Sequence, residues 1–299
     1  MNTVTLKHLR YFEALAQNGH FGRAAAASAI SQPALSLQIK ELETILGAPL
    51  VERGSRQIRL TSLGEVFASR VREILRAVDE LGDLARAAYS PLLGRLRIGI
   101  IPTIAPYLLP SIIKTLNTHY PALDLRPREA VTQKLLQDLK DGKLDTAIMA
   151  LPSADPSLHD EALFTEEFVL VRPRADAKKP VPNPASLREM RLLLLEEGHC
   201  FRDQALSFCK ISGALPRDVM EGSALSTLVQ MVGAGIGVTL IPEMAVAIET
   251  RSAAVSIARL SHPRPTRAIG MIWRKTNPLS DQLTHIGSII RAARQDIGG

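Results

Sequence analysis

The chain has 299 residues, of which 46% are hydrophobic, and it carries a formal net charge of +6. A chain of this length can bury a sizeable core and is long enough for two or three domains. The N-terminal segment lacks the apolar core of a signal peptide, and no apolar run could span a bilayer, so we expect a cytoplasmic protein without a membrane anchor. The modest positive charge permits an anionic partner without naming one.

Three short helices are predicted near the N-terminus. Apolar residues recur at helical spacing across residues 6–18, and an alanine-rich helix follows at 22–28. Ser31 is a good N-cap and Pro33 suits a first turn, so a third helix begins there and ends at Gly47. This third helix is polar on its outer side, and together with the second it gives a helix-turn-helix pattern.

A basic hairpin follows the third helix. Two short strands around Gly54-Ser55 bring arginines together at its tip, which predicts a wing. Polar side chains at the start of a recognition helix reach base edges, and arginines in a wing suit backbone or minor-groove contact. A purely structural three-helix bundle is the alternative. The predicted DNA contacts are Ser31, Gln32, Pro33, Ser36, Gln38, Lys40, Arg53 and Arg56.

One long helix is predicted from Thr61 to Tyr89, with Thr61 or Ser62 as its cap and Glu65 placed to complete a capping box. Charges flank its apolar stripe on both sides, which is typical of a helix that pairs with another helix rather than covering a core. We therefore interpret residues 61–90 as a dimerising linker. The stripe consists of Val66, Val71, Ile74, Leu75, Val78, Leu81, Leu84 and Ala85.

From residue 93 onward, short apolar runs alternate with helical patterns. Such alternation predicts parallel sheets covered by helices. A strand near 166 begins a second unit, and a strand at 268–274 returns to the first, so the remainder is predicted to form two lobes. Lobe I comprises residues 91–164 and 267–299, and lobe II comprises residues 165–266.

A glycine-rich run, Gly233-Ala234-Gly235-Ile236-Gly237, follows a predicted helix and precedes a strand. A dinucleotide-binding loop has the reverse order, so this run is interpreted as a helix stop and a tight turn. Ser223 lies at the start of the preceding helix. Its hydroxyl is predicted either to bind an anion or ligand in the cleft or merely to cap the helix.

The chain contains two cysteines, Cys200 and Cys209. If the segment between them is a helix, their Cα atoms lie about 13 Å apart and on opposite faces. A disulfide needs Cα atoms about 5.5 Å apart. The segment must therefore unwind before the two sulfurs can bond, and oxidation would be a conformational switch.

The two thiols differ in their surroundings. Cys200 precedes a predicted helix start, where backbone N–H groups and the helix dipole favour negative charge, and His199 and Arg202 flank it. Cys209 falls on the apolar face of that helix. Because the thiolate is the nucleophilic form of cysteine, we predict that Cys200 is oxidised first to a sulfenic acid, with which Cys209 then condenses.

The alternative is that both cysteines are small buried hydrophobic residues. Two cysteines and one adjacent histidine do not provide the usual four ligands of a zinc site, so neither a metal nor a cofactor is predicted.

Short sequences along the first 64 residues match one protein family. They include Leu9-Arg10-Tyr11-Phe12, Ser31-Gln32-Pro33-Ala34-Leu35-Ser36 and Gly47-Ala48-Pro49-Leu50-Val51-Glu52-Arg53. This region resembles the winged helix-turn-helix of LysR-type transcriptional regulators. The long helix and the two-lobed remainder also fit, so the resemblance covers essentially the whole chain. Leu37 stands where many members carry a polar or basic residue.

The segment from Glu196 to Cys209, and the run from Ile101 to Pro110, resemble the hydrogen-peroxide-sensing branch of that family. The resemblance implies a peroxidatic Cys200, a resolving Cys209 and a two-lobed regulatory domain like periplasmic binding proteins. It also implies a homotetramer that binds a pseudo-palindromic site on double-stranded DNA and contacts RNA polymerase. The implied peroxide pocket consists of Thr103, Thr132, His199, Asp203 and Arg267.

The sequence thus predicts an α/β protein with a winged helix-turn-helix head at residues 1–60, a linker helix at 61–90 and a regulatory domain at 91–299. The predicted function is transcriptional control of antioxidant genes through a peroxide-formed disulfide, without enzymatic activity. One alternative is a regulator of the same class that responds to a small organic ligand in the inter-lobe cleft. The other is a thiol peroxidase.

Overall fold

The computed structural model describes residues 3–52, 58–89, 94–209 and 220–295. The chain divides into two compact units, Met1–Ala85 and Arg86–Gly299. Within the described residues, no helix combines the length and the apolar content that crossing a membrane requires.

The first unit is a helical head with a two-stranded hairpin. Ser31 caps the third helix through its side chain, and Gly19 and Gly47 end the first and third helices with φ of +58° and +69°. Both glycines adopt the left-handed conformation that a helix C-cap favours. The elements are α1 (Leu6–Asn18), α2 (Phe21–Ala27), α3 (Gln32–Leu46), β1 (Val51–Glu52), β2 (Arg59–Leu60) and α4 (Ser62–Tyr89).

The hairpin is confirmed at its base, where β1 and β2 pair antiparallel with Val51 opposite Leu60. Its predicted tip, with Arg53 and Arg56, lies outside the described residues.

The start of α4 lies directly against the hairpin. The Thr61 hydroxyl accepts a hydrogen bond from the Gly64 N–H at 3.0 Å, so Thr61 is the cap and the predicted Ser62–Glu65 box does not form. A Cβ at Gly64 would lie 2.1 Å from the Leu50 carbonyl oxygen. Only glycine therefore permits this approach of helix to strand.

The prediction that α4 covers no core is wrong for its first half. Ala68 and Val71 are buried in the head, and Leu75 packs against the same core. The Phe67 ring meets that of Phe12 edge-on at 5.3 Å between centroids. The head thus uses this face of α4 to complete its own core.

A second apolar face of α4 stays exposed. Leu63, Val66, Ile74 and Leu81 are 46–64% exposed. At about 100° per residue, these four side chains fall within an arc of about 80°. The residues that the sequence assigned to one apolar stripe therefore lie on two different faces of α4. One face packs on the head, and the other is exposed. The side chains of Leu84 and Ala85, also assigned to the stripe, lie outside those that the structure describes.

The elements of the second unit are β3 (Gly94–Ile100), α5 (Ala105–His119), β4 (Leu123–Glu129), α6 (Thr132–Lys140), β5 (Thr146–Leu151), β6 (Leu158–Pro173), α7 (Pro184–Glu189), β7 (Leu193–Leu195), α8 (Cys200–Phe208), β8 (Met220–Gly222), α9 (Leu225–Gly233), β9 (Thr239–Pro242), α10 (Val246–Glu249), β10 (Val255–Arg259), β11 (Thr266–Arg274) and α11 (Ser280–Gln295). The described strands form a seven-stranded sheet in the order β10-β6-β11-β5-β3-β4, with β9 paired to β6, and a small sheet of β7 and β8.

The sheet is mixed rather than purely parallel as predicted. Strands β4 and β5 run parallel to β3, and β8 runs parallel to β7, whereas β6, β9, β10 and β11 pair antiparallel. The strand predicted near 166 begins earlier, at Leu158. In its first half only Leu158 and Leu163 are buried apolar residues, so this half lacks the continuous apolar run that marks the second half.

Two hydrophobic cores divide this unit, and β6 joins both. Leu158 and Leu163 belong to the first core, with α5, α11 and β3 to β5. Phe168 to Val171 belong to the second core, with β7, β9, α8 and α9. The buried residues of the first core lie within the range predicted for lobe I, and those of the second core lie within the range predicted for lobe II. The run 233–237 lies between α9 and β9, with Gly235 at φ +79°, which confirms a helix stop and turn.

Candidate functional site

Helix α8 begins at Cys200 and ends at Phe208, with His199 as its N-cap and Cys209 as its C-cap. Both cysteines are free thiols. The Cys209 N–H donates to the Ala205 carbonyl at 3.1 Å, so the helical hydrogen bonds reach the second cysteine. The two Cα atoms are therefore separated by about nine helical rises, or about 13 Å.

The two thiols pack against different lobes. Cys200 is half-buried and packs against the core of lobe I, whereas Cys209 is fully buried in the core of lobe II. Burial raises the pKa of the Cys209 thiol to about 11. The predicted apolar position of Cys209 is confirmed, and its raised pKa keeps the thiol neutral at physiological pH.

Arg267, on β11, reaches the start of α8. Its guanidinium carbon lies 5.3 Å from the centre of the Phe201 ring, and Phe201 follows Cys200 directly. The side chain is almost fully buried at 2% exposure, so its charge needs a partner. Folding thus places the predicted pocket arginine beside the cysteine helix.

Glu166 on β6 supplies that partner. Its Oε1 accepts from Arg267 Nε at 2.8 Å and lies 2.7 Å from Nη2, and its Oε2 accepts from the Met244 N–H at 3.5 Å. Sequence reasoning missed Glu166. The acid follows the polar first half of the strand and precedes another acid, Glu167, so nothing in the local pattern distinguishes it from a surface residue.

The remaining donors of Arg267 fix Thr103. Nη1 donates to the Thr103 hydroxyl at 2.8 Å, and Nη2 donates to the Thr103 carbonyl at 3.1 Å. Because the hydroxyl oxygen accepts from the guanidinium, its own hydrogen is left to point elsewhere. Thr103 also lines a cavity between the lobes.

This cavity has a volume of about 290 Å³ and is lined from both lobes, with Thr103, His199 and Ser223 among its walls. On one side, the Tyr107 hydroxyl of α5 donates to Glu249 of α10 at 2.6 Å. Burial and this carboxylate raise the pKa of Tyr107, so the hydroxyl stays protonated and donates. The hydrogen bond ties an element of lobe I to one of lobe II.

His199 is buried at the entrance of α8. Burial lowers the pKa of its imidazole, so the ring is neutral near physiological pH. A neutral imidazole carries one donor and one acceptor. Within the described part of the chain, no three His, Cys, Asp or Glu side chains converge on a metal-binding cluster.

Thr132 is the first residue of α6, and the start of α6 lies beside the start of α8. A Cβ at Gly198 would lie 3.7 Å from Val131 Cγ2, which brings the start of α6 against the start of α8. Among the described residues, the Thr132 hydroxyl oxygen is buried without a hydrogen-bond partner. A buried hydroxyl without a partner can form a hydrogen bond with a small polar molecule at this point.

Two predicted site residues are exposed, Asp203 of the peroxide pocket and Ser223 of the possible ligand cleft. Asp203 is exposed on α8, whereas Thr103, His199 and Arg267 are buried. Ser223 is exposed and lines the cavity, but the N-cap position of α9 belongs to Ala224, which excludes the capping role for Ser223.

The predicted DNA face lies on α3. The Ser31 hydroxyl accepts from the Ala34 N–H at 3.3 Å as the N-cap, and half-buried Gln38 donates to Glu41 at 3.0 Å. The sequence assigned no role to Leu37, whose side chain is 65% exposed on the same helix. Four further predicted contacts are exposed on α3, as Ser31 is: Gln32, Pro33, Ser36 and Lys40.

Comparisons with known protein families match nearly the whole chain. Residues 6–65 match the bacterial regulatory helix-turn-helix protein of the lysR family, and residues 90–295 match the LysR substrate binding domain.

Individual relatives agree. The chain is 41% identical to a probable hydrogen peroxide-inducible genes activator of Streptomyces viridosporus, covering 98% of this chain and 95% of that protein. It is 39% identical to the DNA-binding transcriptional dual regulator OxyR of Escherichia coli K12, covering 97% and 95% of the two chains.

Two solved structures are also similar along nearly the full length. One is a full-length OxyR variant from Pseudomonas aeruginosa, with a TM-score of 0.75, 35% identity and coverage of 97% of this chain and 95% of that chain. The other is a hydrogen-peroxide-bound OxyR variant of Corynebacterium glutamicum, with a TM-score of 0.67, 34% identity and coverage of 98% and 93%. The two family matches and the similarity to these relatives show that the chain belongs to the LysR family of transcriptional regulators, in the OxyR branch.

Proposed function

We propose that this regulator senses hydrogen peroxide through a reversible disulfide between Cys200 and Cys209. The observation that carries the proposal is the asymmetry of the two thiols across one helix. Cys200 is half-buried at the helix N-terminus, while Cys209 is sealed in the lobe II core with a pKa raised to about 11. In this arrangement Cys200 is the cysteine that attacks the peroxide, and Cys209 is the resolving cysteine that later forms the disulfide.

The chemistry balances without a cofactor. The Cys200 thiolate attacks one oxygen of hydrogen peroxide, the O–O bond breaks, and the leaving oxygen takes a proton and departs as water. The Cys209 sulfur then attacks the Cys200 sulfenic acid, forming the S–S bond and releasing a second water. The peroxide gains two electrons, and the thiol pair loses them together with two hydrogens.

Residues around the start of α8 suit this first step. Arg267 holds the Thr103 hydroxyl oxygen, which leaves the Thr103 hydrogen to donate to a peroxide oxygen. Thr132 offers an unsatisfied hydroxyl, and neutral His199 offers one donor and one acceptor. Hydrogen peroxide is itself both donor and acceptor, so a neutral polar pocket fits it. Asp203 is exposed at the rim, where an assisting role stays a prediction.

The second step requires α8 to unwind. Arg202 resists this motion, since its buried side chain donates to the Leu195 carbonyl at 2.9 Å and pairs with Glu221 at 2.5 Å. When Cys209 leaves the lobe II core, these contacts and the packing of Phe201 must rearrange. We propose that this change alters a contact between subunits.

The head, by this proposal, binds promoter DNA through α3 and through Arg53 and Arg56, the arginines predicted for the wing. A homotetramer presents two head dimers to a pseudo-palindromic site, and oxidation changes its spacing on DNA and its contact with RNA polymerase. The regulated genes are those that counter oxidants, and the chain acts in the cytoplasm as a regulator rather than as an enzyme. The two lobes around a cleft follow the plan of periplasmic binding proteins.

Dimerisation is assigned to α4. Its exposed arc of Leu63, Val66, Ile74 and Leu81 is the kind of seam that a second helix covers. We keep residues 1–60 as the DNA-binding domain, 61–90 as the linker helix and 91–299 as the regulatory domain in this proposal, with the first half of α4 also packed on the head.

A second candidate is a small organic ligand that binds between the lobes. The cavity of about 290 Å³ and the position of Ser223 beside the start of α9 favour it. Under this alternative, replacing either cysteine leaves the response intact.

Single cysteine variants separate the two roles. With one equivalent of peroxide, we expect the unaltered chain to lose two hydrogens at the linked Cys200 and Cys209 peptides. Cys209→Ser is expected to stop at a Cys200 sulfenic acid that dimedone traps, because the resolving thiol is gone. Cys200→Ser is expected to stay unmodified. Intact-mass and peptide mapping check all three, and a peroxide response retained by Cys200→Ser would refute the mechanism.

Arg267→Lys is expected to lower the second-order rate of Cys200 oxidation by about 100-fold, because a lysine cannot bridge both Thr103 and Glu166. Stopped-flow oxidation by peroxide measures the rate. The matched control is Arg264→Lys, which alters a partly exposed arginine paired with Glu167 at 3.0 Å. Because solvent screens that pair, the rate of Cys200 oxidation in Arg264→Lys should stay within about twofold of the rate in the unaltered chain. If the two substitutions changed the oxidation rate equally, Arg267 would have no specific role in the peroxide pocket.

Ile74→Asp is expected to weaken self-association by at least about tenfold, because it would bury an ionised carboxylate in an apolar seam. Arg72→Asp adds the same carboxylate about 180° around α4 and should leave association unchanged. Sedimentation equilibrium of the full chain measures both. Unchanged mass for Ile74→Asp would show that this arc is not the dimer seam.

A further inference from the structure

Leu37 is a large apolar residue on the exposed face of α3. Its side chain is 65% exposed, the largest exposure among the described large hydrophobic residues. It lies in the N-terminal half of α3, the second helix of the helix-turn-helix. Nothing in the head's own core uses it.

The neighbours of Leu37 on the helix surface extend this feature. Pro33 and Ala34 lie four and three residues earlier and are also exposed, so the three form one small apolar strip. A leucine in a helix points back over the preceding turn, which directs Leu37 toward the N-terminal end of α3. In a helix-turn-helix, that end faces the base edges.

The strip is bordered by groups that suit nucleic acid. Gln32, Ser36 and Lys40 are exposed around it and supply hydrogen bonds and a positive charge. A stable protein interface needs about 800 Å² from each partner, far more than three side chains of this size offer. Duplex DNA is therefore the occupant that the surface favours.

In the major groove, the thymine C5-methyl is the apolar group among the base edges. We propose that Leu37 contacts a thymine methyl group and thereby sets a preference for A·T at one base pair of each half-site. The inference rests on the proposed DNA binding and adds a specificity residue that the polar contacts do not provide. A leucine cannot hydrogen-bond, so the methyl group is what it detects.

The test uses the full chain and a duplex that the chain itself selects from a random pool. Each thymine of the selected duplex is replaced singly by uracil, which lacks the methyl group. We expect one position in each half-site to lose about fourfold in affinity, the value of one buried methyl group. At that position, 5-methylcytosine paired with guanine should bind more tightly than unmethylated cytosine.

Leu37→Ala should bring the thymine-to-uracil affinity ratio at that position close to one and leave the other positions unchanged. Because the ratio compares two duplexes with one protein, a general loss of stability does not change it. The matched control is Leu6→Ala, which removes a 45% exposed leucine from α1 and should keep the ratio. A ratio near four that persists in Leu37→Ala, or no position that responds to uracil, overturns the proposal.

Two outcomes locate a failure. If Leu37→Ala changes the mass of the assembly while uracil has no effect, Leu37 is a contact between protein chains and the DNA assignment is wrong. If the unaltered chain selects no duplex at all, the proposed DNA binding fails and the inference fails with it.

Discussion

The geometry of one helix governs the regulatory domain. While α8 is intact, the Cα atoms of its two cysteines lie on opposite faces and about 13 Å apart, more than twice the roughly 5.5 Å that is usual in a disulfide. The helix also stands between two cores, with Cys200 against lobe I and Cys209 inside lobe II. Bond formation therefore cannot be a local event, because at least one thiol must leave its core.

A buried ion pair, Arg267 with Glu166, lies beside the start of α8. Arg267 is buried, and its charge is offset by Glu166, which also accepts a backbone N–H from Met244. The guanidinium thus orients Thr103 and the Phe201 ring without presenting an unpaired charge. A neutral oxidant such as hydrogen peroxide suits a pocket of this kind better than an anion does, since the carboxylate already compensates the arginine.

Local signals were enough to predict much of the fold and part of the site. The caps at Ser31 and Gly47 fix both ends of α3, and the contrast between an N-terminal and an apolar cysteine is visible in the sequence alone. Pairings across long separations were not predictable: Glu166 meets Arg267 across 101 residues, and nothing local selects that acid among its neighbours. The two faces of α4 overlap in one helical pattern, so only packing separates them.

The central claim is that disulfide formation and the helix α8 exclude one another. Hydrogen exchange of the backbone amides in residues 204–209 tests this most directly, measured on the full chain before and after stoichiometric peroxide. Slow exchange in the reduced chain and fast exchange at the same amides once the Cys200–Cys209 bond has formed is the result we predict. A fully formed disulfide with these amides still protected would contradict the account.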